Sequence, residues 1–288
     1  MSEINESAHL LGTDARLVGV LSSPLDAGEQ PLGVGVVILS SGLLHRVGAF
    51  RLHVDLARRL SSLGFSVLRI DQHGRGDSAR NAGLSASETI QSEMDSVSGF
   101  FSDSYGVDKL ILIGLCSGAD DAVFLSVDND NVVGMVLLDG FSERTWRYNI
   151  YRQLARWSNA ARIWRAVRRR FSGPKWKPNG DRSLPDNAAP NMEAIRNFPS
   201  LDQARESFVN VVSRGGQALS VYTGGASDYY CYSGQLRECL ALDGSEEYIT
   251  EEFFPSAQHT YPIQAHRDAL VTTVVDWMKR VYGRPTST

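Results

Sequence analysis

Apolar positions fall in short blocks along this chain, and their spacing alternates between continuous and helical. Gly33–Leu39 (GVGVVIL) is an unbroken, largely β-branched run, the pattern of a strand buried on both faces. Phe50, Val54, Ala57 and Leu60 then recur at helical spacing, and Gly64 ends that helix. Phe65–Ile70 reads as the next strand, Ser87–Phe101 as a helix, Lys109–Ile113 as a strand, Ala119–Val127 as a helix and Val132–Leu138 as a strand. Ahead of these, His9–Leu11 and Leu17–Leu21 flank the turn residues Gly12-Thr13-Asp14 and predict a hairpin. The alternation stops for about sixty residues after position 140. It resumes as a helix near Leu201–Val212, a strand near Ala218–Tyr222, a helix near Tyr229–Leu240, a strand near Tyr248–Phe254 and a final helix over Pro262–Val281. Pro262 is expected in the first turn of that last helix, where its fixed φ is tolerated.

Strands alternating with helices imply βαβ units and a largely parallel sheet. The expected architecture is therefore an α/β fold, a mostly parallel central sheet flanked by helices, with a helical cap inserted after the sixth strand. Residues 1–140 and 201–288 would form the core, and 141–200 a basic, Trp/Arg-rich cap.

Charge sharpens that boundary. The 288 residues carry a formal charge of −4, but Phe141–Gly180 holds nine Arg and two Lys against the single acid Glu143. That segment is therefore +10 and the rest of the chain −14. Within it Ile150, Leu154, Trp157, Ala161, Trp164, Val167 and Phe171 form an apolar stripe at helical spacing, with arginines between. The simplest reading is a cap helix with a solvated basic face; the sharper one is recruitment of an anionic partner. Trp146, Trp157 and Trp164 are candidates for lining a pocket beneath it. Hydrophobic content of 42% and 26 glycines exclude a disordered or collagen-like chain. Cys116, Cys231 and Cys239 fall in no CxxC or Cys/His cluster, so neither a disulfide framework nor a zinc site is expected. No cofactor is implied. The N-terminal residues lack a basic region followed by an apolar core, and no apolar run is long enough to span a membrane. The expected setting is cytoplasmic.

The chemistry concentrates at Gly114-Leu115-Cys116-Ser117-Gly118, between an apolar strand and a helix. This G-x-nucleophile-x-G pattern holds its central residue at a strained angle above the sheet, with Cys116 where serine is usual. The alternative for Cys116 is an inert buried thiol. In the required chain order, Asp228 follows the Ala218–Tyr222 strand and His259 the Tyr248–Phe254 strand, completing an expected Cys116–His259–Asp228 triad. A helix N-cap is the plainer reading of Asp228 and a surface histidine that of His259. Ser40-Ser41-Gly42-Leu43 follows the first buried strand, so the N–H groups of Leu43 and Ser117 are expected to form an oxyanion hole. His45 is a candidate for lining the pocket, with a solvated role as the alternative. Asp71–Ser78 (DQHGRGDS) reads at its plainest as a Gly-rich turn; a phosphate loop is excluded because no GKS or GKT is present.

With these landmarks the chain resembles the α/β-hydrolase superfamily along nearly its whole length. HRVGAFRLHVDLARRLSSLGFSVLRIDQHGRGDS, from His45, IGLCSGA, from Ile113, and QHTYPIQAHRDAL, from Gln258, are similar to small hydrolases associated with exosortase systems. Those hydrolases carry a similar GLC elbow and a His-Thr pair near the C-terminus. The chain departs from the superfamily at Ser41-Gly42, where His-Gly is common, and at Cys116.

A cysteine changes the expected chemistry. The acyl-enzyme would be a thioester, formed from a thioester donor at almost no free-energy change, whereas an amide would face an uphill first step. The expectation is a hydrolase cleaving an ester or thioester with an apolar acyl group. An acyltransferase or ring-forming cyclase using the same triad is the alternative, and a catalytically silent binding protein a third. The expected partner is a small-molecule acyl substrate, free or borne on an acyl carrier protein or coenzyme A. The acidic body and the lack of a recognised motif speak against nucleic acid.

Overall fold

The strands bury side chains on one or both faces of a single sheet, and their alternation decides which helices cover which side. The computed structural model describes residues 4–14, 16–25, 32–80, 83–154 and 196–283. The strands are β1 (Ile4–Leu11), β2 (Leu17–Pro24), β3 (Gly35–Ile38), β4 (Ser66–Asp71), β5 (Leu110–Leu115), β6 (Val132–Leu138), β7 (Gln217–Thr223) and β8 (Ile249–Phe254). They lie in the order β1-β2-β4-β3-β5-β6-β7-β8. β1 and β2 form the expected antiparallel hairpin, β2 also runs antiparallel to β4, and every later pairing is parallel.

Period-two alternation sorts the core into two layers. Val36, Ile38, Ile111, Ile113, Val136, Leu138, Leu219 and Val221 face α1 (Leu52–Ser61) and α7 (Gln264–Tyr282). Val37, Leu110, Leu112, Met135, Leu137, Ala218 and Tyr222 face α2 (Ala86–Tyr105), α3 (Ser117–Asp128) and α5 (Leu201–Ser213). Local sequence starts these helices where it should. Ser85 with Glu88, and Ser200 with Gln203, close reciprocal capping boxes at the first turns of α2 and α5.

Two of the boundaries that differ from the sequence reading have a side-chain cause. The helix expected over Tyr229–Leu240 is only α6, Gln235–Cys239. Ahead of it the Gln235 side chain takes up loop backbone, accepting from Cys231 N–H at 2.9 Å and donating to Tyr229 O at 2.6 Å. Pro262 lies before α7 rather than inside it. Tyr261 adopts φ 52°, and Arg267 Nη1 donates to the carbonyls of Tyr261 and Pro262 at 2.8 Å each, which fixes the approach as a turn.

In the segment expected as a cap, residues 146–154 are helical (α4). Trp157, Trp164 and the rest of the apolar stripe beyond Leu154 lie outside the described residues. Among the described residues no helix is long and apolar enough to cross a membrane.

Candidate active site

β5 ends at Leu115 and α3 begins at Ser117, leaving Cys116 alone to turn the chain. It does so at φ 56°, ψ −120°, a conformation that non-glycine residues rarely adopt. Its N–H donates to Leu138 O at 2.8 Å, and its carbonyl accepts from Ala119 N–H at 3.0 Å. The flanking glycines are sterically required. A Cβ on Gly114 would lie 2.1 Å from Gly118 O, and one on Gly118 would lie 2.7 Å from Ser40 O.

His259 stands in the loop between β8 and α7, at the same edge of the sheet. Its Nδ1 is 2.7 Å from Asp139 Oδ2. Asp139 directly follows β6, is fully buried and adopts φ 46°. The end of β7 fixes its carboxylate: Thr223 N–H donates to Oδ1 at 2.6 Å and Thr223 Oγ1 donates to Oδ2 at 2.7 Å. With Nδ1 committed to Asp139, Nε2 is the nitrogen left to exchange a proton with the Cys116 thiol, and charge on either group favours the opposite charge on the other.

The electrostatics follow from these contacts. Burial opposes a charge on His259, but hydrogen bonds to Asp139 and Cys116 outweigh it and raise its pKa to about 9. Burial likewise opposes a thiolate. The His259 hydrogen bond, the Arg196 cation and the Ser117 N–H together bring Cys116 below the usual thiol value.

Asp228, expected beside the imidazole, is not there. Its side chain is 82% exposed and pairs with Arg152 Nη2 at 3.2 Å. Its backbone carbonyl accepts from Arg144 Nε and from Tyr148 OH, both at 2.7 Å. The Asp228 loop is thus the seat on which α4 docks, and the carboxylate at the histidine is Asp139. The sequence signal for Asp139 was the same as for Asp228, an acid just past an apolar strand (VVGMVLL-D). Nothing local distinguishes the two. Arg196 was missed for the same reason, as it is a lone cation leading into α5.

Ser117 occupies the first turn of α3 with its N–H directed to Cys116. Gly42 N–H donates to Ser117 Oγ at 2.7 Å, and Ser41 Oγ donates to Leu115 O at 2.8 Å, stitching the Ser40–Leu43 loop to the elbow. Leu43 is the next residue in that turn, its side chain 82% exposed. His45 is exposed. Trp146 is 66% exposed, with the Arg147 guanidinium 5.4 Å from its ring centroid, so it lines no enclosed pocket. The Asp71–Ser78 turn is structural: buried Asp71 accepts from Arg46 N–H at 2.5 Å and Asp77 N–H at 2.9 Å. A groove of about 660 Å³ runs from Ser117 between α2 and α3, lined by Arg75, Ile90, Asp121, Phe124 and Leu125 among others. Among the described residues no group of three or more His, Cys, Asp or Glu side chains is placed to hold a metal ion.

Solved structures share this arrangement of elements. A thermostable carboxyl esterase from Bacillus coagulans superposes with a TM-score of 0.59 at 13% identity, covering 98% of this chain and 100% of its own. XC6422 from Xanthomonas campestris, an α/β serine hydrolase without a lid, gives 0.52 at 13%, covering 100% and 98%. The fold is that of the α/β hydrolases. GrgF from a Penicillium species, another α/β hydrolase, gives 0.54 at 18% identity over 97% of this chain and 99% of its own. No family model and no curated protein matches the sequence. On this α/β-hydrolase frame, Cys116, His259 and Asp139 all sit on turns at the C-terminal ends of parallel strands, where open α/β sheets place their ligands.

Proposed function

We propose that this chain is a cysteine-dependent α/β hydrolase that cleaves an ester or thioester through an acyl-thioester on Cys116. The observation that carries the reading is the His259–Asp139 hydrogen bond at the rim of the sheet, with Cys116 beside it on a strained elbow. Likeness to esterases and to a serine hydrolase, together with the resemblance of the GLC elbow to exosortase-system hydrolases, supports the same class of reaction.

In this mechanism the Cys116 thiolate attacks the acyl carbonyl carbon, and the carbonyl electrons move onto oxygen. The oxyanion is received by the N–H groups of Ser117 and Leu43. Collapse breaks the bond to the leaving alkoxide or thiolate, which takes a proton from the His259 imidazolium. His259, now neutral, accepts a proton from water as the water attacks the thioester, and the returning electron pair restores the Cys116 thiolate. Asp139 keeps Nδ1 protonated and steadies the imidazolium throughout. The groove beside Ser117 offers room for an apolar acyl group. The arginines of the basic segment that are described are already engaged. Arg144 and Arg152 bind Asp228, and Arg147 lies 3.6 Å from Glu238.

The test is intact-mass spectrometry of the protein mixed with an acyl thioester and with an activated aryl ester. An acyl mass on Cys116, absent in Cys116→Ala together with release of the leaving group, is the expected result. Normal turnover by Cys116→Ala would overturn the reading. The products formed as the adduct decays tell hydrolysis from transfer to another acceptor.

A further inference from the structure

The helix that follows the nucleophile carries two adjacent acids near its start, Asp120 in its first turn and Asp121 just after it. Carboxylates suit a helix N-terminus, yet they disfavour a second negative charge at the Cys116 sulfur. The structure answers Asp120 from far along the chain. Arg196, in the segment leading into α5, places Nε 2.5 Å from Asp120 Oδ2 and Nη2 3.1 Å from Asp120 Oδ1. The pair is bidentate and almost dry, with side-chain exposures of 10% for Arg196 and 1% for Asp120. The same Nη2 donates to the backbone carbonyl of Asp139 at 3.0 Å. Tyr229 OH donates to that carbonyl at 3.0 Å and lies 3.5 Å from Arg196 Nη1. The Phe198 ring packs on the guanidinium, 4.3 Å from Cζ to the centroid. One side chain therefore bridges the first turn of the nucleophile helix and the turn that presents the carboxylate to His259.

Resting on the Cys116–His259–Asp139 reading above, we infer that Arg196 is a positioning residue: anchored by Asp120, it pins the Asp139 turn and holds a buried cation between that turn and the first turn of the helix that follows Cys116. The charged and titratable groups facing this node are Asp120, Asp139, Tyr229, Cys116 and His259. Asp121 stands beside Asp120, with Arg75 3.7 Å from it. Their balance is consistent. Burial pushes Asp120 up to about 6 although Arg196 pulls it down, so the two remain an ion pair at neutral pH. After the His259 hydrogen bond, the Arg196 charge is the next influence lowering the Cys116 thiol. A neutral hydrogen-bonding side chain in its place would hold the turn but remove the charge.

The experiment follows alkylation of Cys116 by iodoacetamide as a function of pH, read from the mass of the Cys116 peptide. Cys231 and Cys239 are thereby kept out of the signal. In Arg196→Gln the acid limb should move upward by about one pH unit, the size of shift that loss of a nearby opposite charge produces. Arg196→Lys, which keeps the charge, should restore most of it. Because Arg196→Gln leaves Asp120 buried without its partner, the double variant Asp120→Asn/Arg196→Gln serves if the single one fails to fold; its limb should also move upward, but by less, because the Asp120 charge that opposes the thiolate is lost with it. A role confined to holding the structure would lower the melting temperature and leave the limb where it was. That result, or equal shifts in the Lys and Gln variants, would overturn the inference. Alkylation needs no substrate, so the outcome is separable from the catalytic reading, which stands or falls on turnover by Cys116→Ala.

Discussion

Asp139 and Asp228 follow neighbouring parallel strands at one rim of one sheet, and they have opposite fates. Asp139 is wholly buried, and its two carboxylate oxygens accept from Thr223 N–H, Thr223 Oγ1 and His259. Asp228 is mostly exposed, bound to Arg152, and its backbone anchors α4 through Arg144 and Tyr148. Position at a strand end therefore does not make a carboxylate an orienter of histidine. What does is a set of donors that fixes the carboxylate's angle and a dry surrounding that strengthens its hold on the ring.

Replacing each acid by its amide gives the sharpest contrast. Asp139→Asn should reduce turnover of an acyl ester by about 10³–10⁴-fold, the scale reached when the orienting acid of a triad becomes an amide and the imidazole is left in the wrong tautomer. Steady-state kinetics on folded protein check this, and a loss of less than about tenfold would move the orienting role away from Asp139.

The pH profile probes the same contact with a smaller effect. The imidazolium of His259 is raised to about 9, so it is present below that pH and lost above it. Turnover of an ester whose leaving group needs a proton should accordingly fall on an alkaline limb near pH 9. In any residual activity of Asp139→Asn that limb should move down toward the ordinary histidine value of about 6.5. An unmoved limb would show that Asp139 does not set the charge on His259. The smallest effect belongs to Asp228→Asn, which should leave turnover within about threefold of wild type because exposed ion pairs contribute little. A loss as deep as that of Asp139→Asn would erase the distinction between the two acids.

Much of this site is legible in the sequence alone. Gly114 and Gly118 announced the elbow because the backbone approaches they permit admit no Cβ. His259 stood out as a histidine between the last strand and the last helix. Asp139 and Arg196 left no such trace. Each contributes one charged side chain whose importance arises from residues scores of positions away: Thr223 and His259 for one, Asp120 and the Asp139 carbonyl for the other. The short α6 and the turn at Pro262 were missed for a related reason. Gln235 and Arg267 draw backbone groups out of helical pairing through contacts that local propensity does not encode.

By itself the sequence determined the alternation of strands and helices, hence the mostly parallel sheet, and the place where its chemistry would lie. Periodicity and tight-turn sterics are local, and local rules are written in neighbouring residues. Which acid meets the histidine, and which cation meets Asp120 in the helix after the cysteine, was decided only when β6, β7 and the segment entering α5 came together around α3. Those choices depend on through-space distance and on the exclusion of water, and neither quantity exists until the chain has folded.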